Sequence, residues 1–242
     1  VTAWQLLETM TPMVREKDGA AVAAMKAVLL PSLPEVCRSE VRKLDLDEPF
    51  EWPFRGGSFC LPLRAVTDAI DTNDEEVVLR VRQSLRILEK RSPAAYSAVL
   101  NALTRHDDSY RRVLVRTTKP VVVDGSNVAW YGEERGGRAR VAYLRAVRRE
   151  LRGAGYFPIR VFIDASLFYQ IDQPHCLEQM VARGEVICAD AGRDADEQIL
   201  NEARDLGAAV VSNDRMQEHD PQGLVRKLRF EVSEEGAIVC AG

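Results

Sequence analysis

Residues 119–130 read KPVVVDGSNVAW, in which three consecutive valines give way abruptly to a polar turn. An uninterrupted β-branched run is typical of a short strand that is covered on both faces of a parallel sheet. The carboxylate of Asp124 therefore lies at the carboxyl end of this predicted strand, the edge of an open α/β sheet where ligands bind. Asp, Gly, Ser and Asn are also ordinary turn residues, so an aspartate that only caps a turn is the alternative interpretation.

Outward from this stretch, the C-terminal half alternates between strand-like and helix-like patterns. That alternation predicts an α/β fold, in which helices pack on the faces of a parallel sheet. The predicted strands cover residues 121–123, 160–163, 186–188, 209–211 and, with a weaker pattern, 230–232. The predicted helices cover residues 140–152, 174–182 and 195–206.

The N-terminal half has helical periodicity, which predicts an all-α domain of unknown role over residues 1–112 and a second domain over 113–242. Its clearest elements are a helix over residues 72–90 and another that starts at Ser92, together a helical hairpin. Residues 107–118 are polar and basic and are predicted to link the halves. A protein partner or an oligomer contact, if the chain has one, would use the helical domain.

Residues 44–57 read LDLDEPFEWPFRGG and are predicted to be an irregular connection within the helical half. Their aromatic residues Phe50, Trp52 and Phe54 have two interpretations, a small additional core or a partner-binding surface. The core is favoured, because exposed aromatic patches are uncommon on soluble domains.

Composition excludes several classes of protein. The net charge is −4, so a polyanionic partner would have to be met by a local basic patch. The five cysteines are odd in number and form no C-x-x-C pair, which favours neither a disulfide framework nor a zinc site and fits a cytoplasmic compartment. No apolar stretch approaches the length of a membrane span and no signal-like segment opens the sequence, so no membrane association is expected.

Three of the predicted strands end in an acid, at Asp124, Asp164 and Asp214. The carboxyl ends of parallel strands share one edge, so these acids are expected to face a single pocket. Asp196 adds a fourth, because its helical spacing with apolar residues 199, 200 and 203 places it on the sheet-facing side of its helix. Clustered carboxylates repel one another unless a cation neutralises them, and a hard divalent ion takes oxygen ligands. Mg²⁺ or Mn²⁺ is therefore the inferred cofactor.

Simpler interpretations of the same polar residues stay open. Asp196 also favours the N-terminus of its helix, as Asp194 does by capping, and Asp164 begins what reads as an ordinary turn. Asn127 and Asn213 either hydrogen-bond to the acids and orient them or only stabilise their own turns.

Three motifs stand out by their order and separation: DGSNVA at residues 124–129, DADEQIL at 194–200 and VVSND at 210–214. Together they resemble the NYN branch of the PIN-like nucleases, and most closely the Regnase-like ribonuclease domain. The resemblance extends from about residue 119 to the C-terminus. It implies a compact PIN-like sheet, bound Mg²⁺ and endonucleolytic cleavage of RNA.

The resemblance also implies roles for individual residues. Asp124 is expected to be a metal ligand with Asn127 beside it, Asp196 is the acid from the helix, and Asp214 is the acid after the fourth strand. This sequence departs from the Regnase-like pattern at Glu197, where a second aspartate is expected, so the role of Glu197 stays open. The Cys/His zinc finger of the animal proteins has no counterpart in this sequence.

Basic and aromatic residues after Asp124 form a candidate RNA-binding surface. Arg135, Arg138 and Arg140 lie in the predicted loop and first helical turn after Asp124. Positive charges at a helix N-terminus are unfavourable because they oppose the helix dipole, so their presence here suggests that they bind the substrate. Trp130 is a candidate for stacking on a base beside the cut, with core packing as the alternative. The arginines predicted to form a solvated face further along this helix are Arg145, Arg149 and Arg152.

The resulting prediction is a metal-dependent endoribonuclease, in which Asp124, Asp196 and Asp214 hold the ions that activate water. A phosphotransfer receiver is not favoured, because Ala189-Asp190 stands where its phosphoacceptor is expected and no obvious lysine follows. A Rossmann domain would need G-x-G-x-x-G after the first strand, which is missing. A non-catalytic RNA-binding or scaffold protein with a PIN-like fold stays open as the alternative.

Overall fold

The computed structural model describes residues 49–54, 57–133, 137–190, 194–232 and 238–241 of the 242-residue chain. Predictions for residues 1–48 and for Arg135 lie outside these ranges. The chain forms two compact units, one of residues 1–68 and 77–108 and the other of residues 69–76 and 109–242. The boundary predicted at residue 112 stays a prediction, although the second unit also takes a short piece from the helical half.

The described part of the first unit opens with a β-hairpin, which corrects the prediction of an irregular connection in a purely helical half. Strands β1 (Phe50–Phe54) and β2 (Gly57–Leu61) pair antiparallel, with Trp52 opposite Phe59. The rings of Phe50 and Trp52 stack with their centroids 6.3 Å apart. The aromatic residues at alternate positions follow the period of two that is typical of a strand. This pattern favours a strand here even though two nearby prolines disfavour one.

Three helices follow the hairpin: α1 (Leu63–Asp71), α2 (Glu75–Arg91) and α3 (Pro93–His106). Helices α2 and α3 confirm the two helices predicted here, whereas their packing as a hairpin stays a prediction. Ser92 caps α3 by accepting a hydrogen bond from the backbone N–H of Ala95 at 3.4 Å. The predicted apolar face of α2 is buried, and its residues are Val78, Val81, Leu85 and Leu88.

The second unit is built on a sheet whose five parallel strands confirm the predicted α/β fold. The strands are β3 (Lys119–Asp124), β4 (Tyr156–Ile163), β5 (Ile187–Cys188), β6 (Ala209–Val211), β7 (Lys227–Val232) and the antiparallel β8 (Ile238–Ala241). Their order across the sheet is β5-β4-β3-β6-β7-β8. The central strand is β3, and its three valines are fully buried, as expected for a strand covered on both faces.

The helices around this sheet are α4 (Asp108–Val115), α5 (Gly125–Ala129), α6 (Val141–Gly153), α7 (Leu167–Gln170), α8 (Pro174–Ala182) and α9 (Ala195–Leu206). Helices α6, α8 and α9 confirm the three predicted helices, whereas α5 and α7 were not predicted. Helix α4 corrects the prediction of a polar linker. Its charged residues concealed an apolar face, because Tyr110, Val113 and Leu114 recur at helical spacing and are buried.

A buried charge network joins α6 to Asp71, the last residue of α1. Asp71 accepts hydrogen bonds from Arg152 Nη1 at 2.5 Å and from the Tyr110 hydroxyl at 2.9 Å. Arg148 donates to the backbone carbonyl of Asp71 and, at 2.8 Å, to Glu185. Arg152 is only 7% exposed, so the prediction of a solvated arginine face is wrong for this residue. Its charge is buried because Asp71 neutralises it.

Candidate active site

Asp124 ends β3 and has a buried carboxylate, only 7% exposed. Its Oδ1 accepts a hydrogen bond from the backbone N–H of Asn127 at 3.0 Å, so Asp124 caps the short helix α5. Its Oδ2 accepts a second hydrogen bond from the hydroxyl of Ser212 at 2.9 Å. Asp124 therefore has both properties that the sequence offered as alternatives, because it caps a turn and also stands at the carboxyl edge of the central strand.

Gly125 allows the chain to turn immediately after this carboxylate. A Cβ atom at this position would lie 2.7 Å from the backbone oxygen of Phe162 and 2.8 Å from a methyl carbon of Val161. Both of these atoms belong to β4, the strand next to β3. Only glycine fits such a close approach, so the second residue of the DGSN motif is needed for packing.

The end of β6 is tied to the DGSN turn by hydrogen bonds. The side-chain oxygen of Asn127 accepts from the backbone N–H of Asn213 at 2.9 Å. Ser212 Oγ, which donates to Asp124, accepts in turn from the backbone N–H of Asp214 at 3.0 Å. The Asn127 side chain and the Asn213 backbone thus tie the two loops together at the carboxyl edge. Ser212, which bonds to Asp124, is a position that the sequence did not single out. A serine directly after the valines of a strand, two residues before an acid, was the available signal.

The side chain of Asn213 extends this connection to the next strand. Its Nδ2 donates to the backbone carbonyl of Phe230 at 2.9 Å, and its Oδ1 accepts from the Phe230 backbone N–H at 3.1 Å. This pair of bonds holds the loop that carries Asp214 against β7, with the Asp214 side chain itself exposed.

Electrostatics couple the acids even though their strands are far apart in sequence. Burial raises the pKa of Asp124 to about 6, the hydrogen bonds from Asn127 and Ser212 oppose this, and the charges of Asp196 and Asp164 add to it. Burial also raises the pKa of Asp196, with further contributions from Asp194, Asp214 and Asp164. Asp124 and Asp196 are thus each close enough to other acids for those charges to affect them, as expected for carboxylates that face a common edge.

Asp196 lies half-buried in the first turn of α9, as its helical spacing predicts, since Ile199 and Leu200 on the same side are buried. Asp194 is the N-cap and accepts from the Asp196 backbone N–H at 2.9 Å, which confirms the predicted capping. His219 contacts the other oxygen of Asp194 at 3.0 Å. Glu197, the departure from the Regnase-like pattern, is exposed.

The geometry does not present a finished metal cage. Within the ranges that the structure describes, no group of three or more His, Cys, Asp or Glu side chains is placed to hold an ion. The donor chemistry does suit Mg²⁺ or Mn²⁺, because the acids at this edge offer only carboxylate oxygens. The metal and its three ligands, Asp124, Asp196 and Asp214, stay predictions.

The candidate RNA-binding residues differ in their surroundings. Arg138 is exposed and has no hydrogen bond or ion pair within the described part of the chain. Arg140 is also exposed, but its side chain forms an ion pair with Glu133. Trp130 is half-buried at the C-terminal end of α5. The neighbouring Tyr131 ring packs on Phe230, with centroids 5.3 Å apart.

A family model described as "Zc3h12a-like Ribonuclease NYN domain" matches residues 117–234, the part of the chain that carries the sheet and the acids. The C-terminal half is an NYN/PIN-like nuclease domain. This confirms the resemblance seen in the three motifs of the sequence. None of the helices within the described ranges is both long and apolar enough to span a bilayer.

Two solved structures similar to this chain are both of nuclear protein-only RNase P 2 (PRORP2) from Arabidopsis thaliana. They are 18% and 17% identical in sequence, with TM-scores of 0.43 and 0.42. Each match covers 68% of this chain and 36% of the other, so this chain matches only about a third of the length of those proteins. A comparison with curated proteins finds no match.

Proposed function

We propose that the NYN domain is an endoribonuclease that hydrolyses RNA phosphodiester bonds with the help of Mg²⁺ or Mn²⁺. The observation that carries the proposal is the buried carboxylate of Asp124 at the end of the central strand, whose pKa burial raises to about 6. Such a carboxylate is costly to ionise in the folded chain. A bound cation would offset both the desolvation cost of burial and the repulsion from neighbouring aspartates, so the carboxylate is a good partner for a cation.

Asp124, Asp196 and Asp214 would hold the metal, and a bound divalent ion supplies an activated water and stabilises charge on the phosphate. The residues around them act on the acids themselves. Asn127 and Ser212 hold the Asp124 carboxylate in one orientation through its two oxygens. Their hydrogen bonds also lower its pKa, which favours the ionised form that a metal needs.

RNA would reach this edge across the loop after α5. Of the two described candidate arginines, Arg138 is the better suited to bind a phosphate, because no side chain in the described part of the chain neutralises it. Trp130 is half-buried and offers part of its ring for stacking on a base. Arg140 would serve the surface less directly, since Glu133 already balances its charge.

The test is cleavage of a labelled single-stranded RNA by the full chain with Mg²⁺, with Mn²⁺ and with EDTA. Asp196→Asn should lose cleavage, because it removes a proposed ligand from the first turn of α9. Asp205→Asn is the matched control, since Asp205 is an exposed aspartate near the end of the same helix. Cleavage that persists in EDTA, or an equal loss in both variants, would contradict the proposal.

A second candidate is a non-catalytic RNA-binding protein that keeps the fold. The observation in its favour is that the described side chains form no ready-made metal group. RNA binding without cleavage in Mn²⁺, together with no anomalous density at the acids in a crystal soaked in Mn²⁺, would establish it. A protein partner for the helical domain and a cytoplasmic location stay predictions under either candidate.

A further inference from the structure

A cleft of about 550 Å³ lies at the amino edge of the sheet. Its walls include the first residues of β3, β4 and β6, the residue before β7 and the C-terminal end of α9. The proposed catalytic acids stand at the opposite edge. Lys119 and Asp124 are five positions apart along β3, which is about 17 Å at the usual rise of a strand. The cleft is therefore a separate feature from the candidate active site.

The lining of the cleft carries three cations, Lys119, Arg204 and Arg226, and no acid. Lys119 and Arg226 are exposed, and neither side chain has a hydrogen bond or an ion pair among the residues that the structure describes. Arg204 is oriented by the side chain of Asn201 at 3.0 Å and by the backbone carbonyl of His219 at 3.1 Å. This excess of positive charge stands out in a chain whose net charge is −4.

Asp220 pairs with one of these cations, Arg204, and it does not neutralise the cleft. Its Oδ1 lies 3.9 Å from Arg204, but the carboxylate is buried and already accepts hydrogen bonds from the backbone N–H groups of Leu224 and Val225. Asp220 also lies 4.0 Å from Lys227 Nζ, so it is shared between two cations. Among the described residues no carboxylate pairs with Lys119 or Arg226, which makes the cleft attractive to an anion.

We propose that this cleft binds the phosphate of a nucleotide unit, from either an RNA strand or a free nucleotide. Arginine and lysine are the side chains that proteins use for phosphate, and two of these three are free to do so. The volume falls in the range of ligand sites and exceeds what a phosphate alone would fill. Tyr156 and the 74% exposed Leu224 add apolar surface for a base or a ribose.

The two sources of the phosphate are separated by two measurements on the full chain in EDTA, which excludes cleavage. Fluorescence anisotropy follows a labelled single-stranded RNA long enough to pass both edges of the sheet, over a series of salt concentrations. Calorimetry follows adenosine 5′-monophosphate. The RNA measurement rests on the proposed function, whereas the nucleotide measurement does not. Each is made on the parent chain and on the double variant Lys119→Ala, Arg226→Ala.

If RNA is the occupant, the double variant should lower the slope of log affinity against log salt by about 1.4, because each single-strand phosphate contact contributes about 0.7. Affinity at 0.1 M salt, relative to that at 1 M, should fall by about 25-fold through released counterions alone. If a free nucleotide is the occupant, the heat of adenosine 5′-monophosphate binding should disappear in the double variant and the RNA slope should stay unchanged.

The matched control is Lys90→Ala, Arg91→Ala, which removes the same two charges from exposed positions at the end of α2. It should change neither measurement. The proposal would be overturned if the cleft variant keeps the RNA slope of the parent and nucleotide binding is either absent already in the parent or the same in the parent and the variant. Cleavage of an RNA too short to reach the cleft should be the same in the cleft variant and the parent. If the parent binds RNA or nucleotide at the cleft but never cleaves RNA, only the proposed function is refuted.

Discussion

The hydroxyl of Ser212 donates a hydrogen bond to Oδ2 of Asp124 at 2.9 Å, across 88 residues of sequence. This bond lowers the pKa of a carboxyl that burial raises to about 6. Ser212→Ala should therefore raise the pKa of Asp124 further, and the acid limb of the pH–rate profile for RNA cleavage should move to higher pH. The unfolding free energy of the variant should also be about 1–3 kcal/mol lower than that of the parent, because Oδ2 of the buried Asp124 loses its hydrogen-bond donor.

The control for this change is Ser126→Ala, which removes a nearby hydroxyl that accepts from the backbone N–H of Asp164 at 2.9 Å and does not contact Asp124. Its pH–rate profile should match that of the parent chain. A Ser212→Ala profile that coincides with the parent would show that the hydrogen bond does not tune the acid.

Asp124→Asn should abolish cleavage and leave the metal-free fold at least as stable as the parent at about pH 7. The folded chain holds the Asp124 proton more tightly than the unfolded chain, since burial raises the pKa from 3.8 to about 6. Ionisation therefore costs the folded state stability as the pH rises from about 4 to about 6, on the order of 3 kcal/mol in full. The asparagine variant should lack this decline.

Chemical denaturation in EDTA at several pH values measures this directly. Added Mn²⁺ should stabilise the parent more than the variant, because the ion binds only an intact set of ligands. A variant that unfolds more easily at neutral pH without metal, or that still cuts RNA at the parent rate, would remove Asp124 from the proposed site.

Gly125→Ala should disrupt the turn after β3. The added methyl would meet the backbone oxygen of Phe162 at 2.7 Å, and backbone in a central strand moves only at a cost of about 1–3 kcal/mol. Because any shift also displaces Asp124, cleavage should fall along with the midpoint of thermal unfolding. Gly153→Ala is the control, since its nearest atom is 4.0 Å away and alanine suits the end of α6. Equal stability of the two variants would contradict the packing argument.

Asp71→Asn should destabilise the sheet-containing unit by about 3–5 kcal/mol, because it leaves the buried charge of Arg152 without its partner. The combination with Arg152→Gln should cost less than the sum of the two single changes, as expected for residues in direct contact. Glu89→Gln, an exposed change on α2, is the control. A fragment that begins at residue 112 lacks Asp71 altogether, so it should unfold at a lower denaturant concentration than the full chain. A fragment as stable as the full chain would show that the network contributes nothing.

Arg138→Ala should lower the salt dependence of RNA binding by about 0.7 in the log–log slope, the contribution of one single-strand phosphate contact. Arg140→Ala should have a smaller effect, because Glu133 already pairs with Arg140 and raises its pKa. Both variants are titrated with labelled RNA in EDTA. Identical slopes for the two variants would show that the ion pair opens when RNA binds, or that RNA takes another path.

Local signals account for the elements that the sequence located best. Helix α9 begins and ends as predicted because both ends carry their own signal: the Asp194 side chain caps the start, and Gly207 adopts the left-handed conformation (φ +60) at the end. The hairpin at residues 50–61 and helix α4 were missed for the opposite reason. In the hairpin, prolines interrupted the alternating pattern that predicts a strand. In α4, the charged residues around Tyr110 made its apolar face difficult to recognise.

By itself the sequence determined the order of the parallel strands and of the three longest helices in the C-terminal half, because periodicity and capping act within a few residues. It also placed Asp124 and Asp214 after their strands and Asp196 at the start of its helix. The tertiary structure alone decided what those acids and the buried charges contact. Ser212 meets Asp124 across 88 residues and Arg152 meets Asp71 across 81. Whether such a pair forms depends on how segments distant in sequence pack together and on the register of neighbouring strands, and no local pattern of residues encodes either.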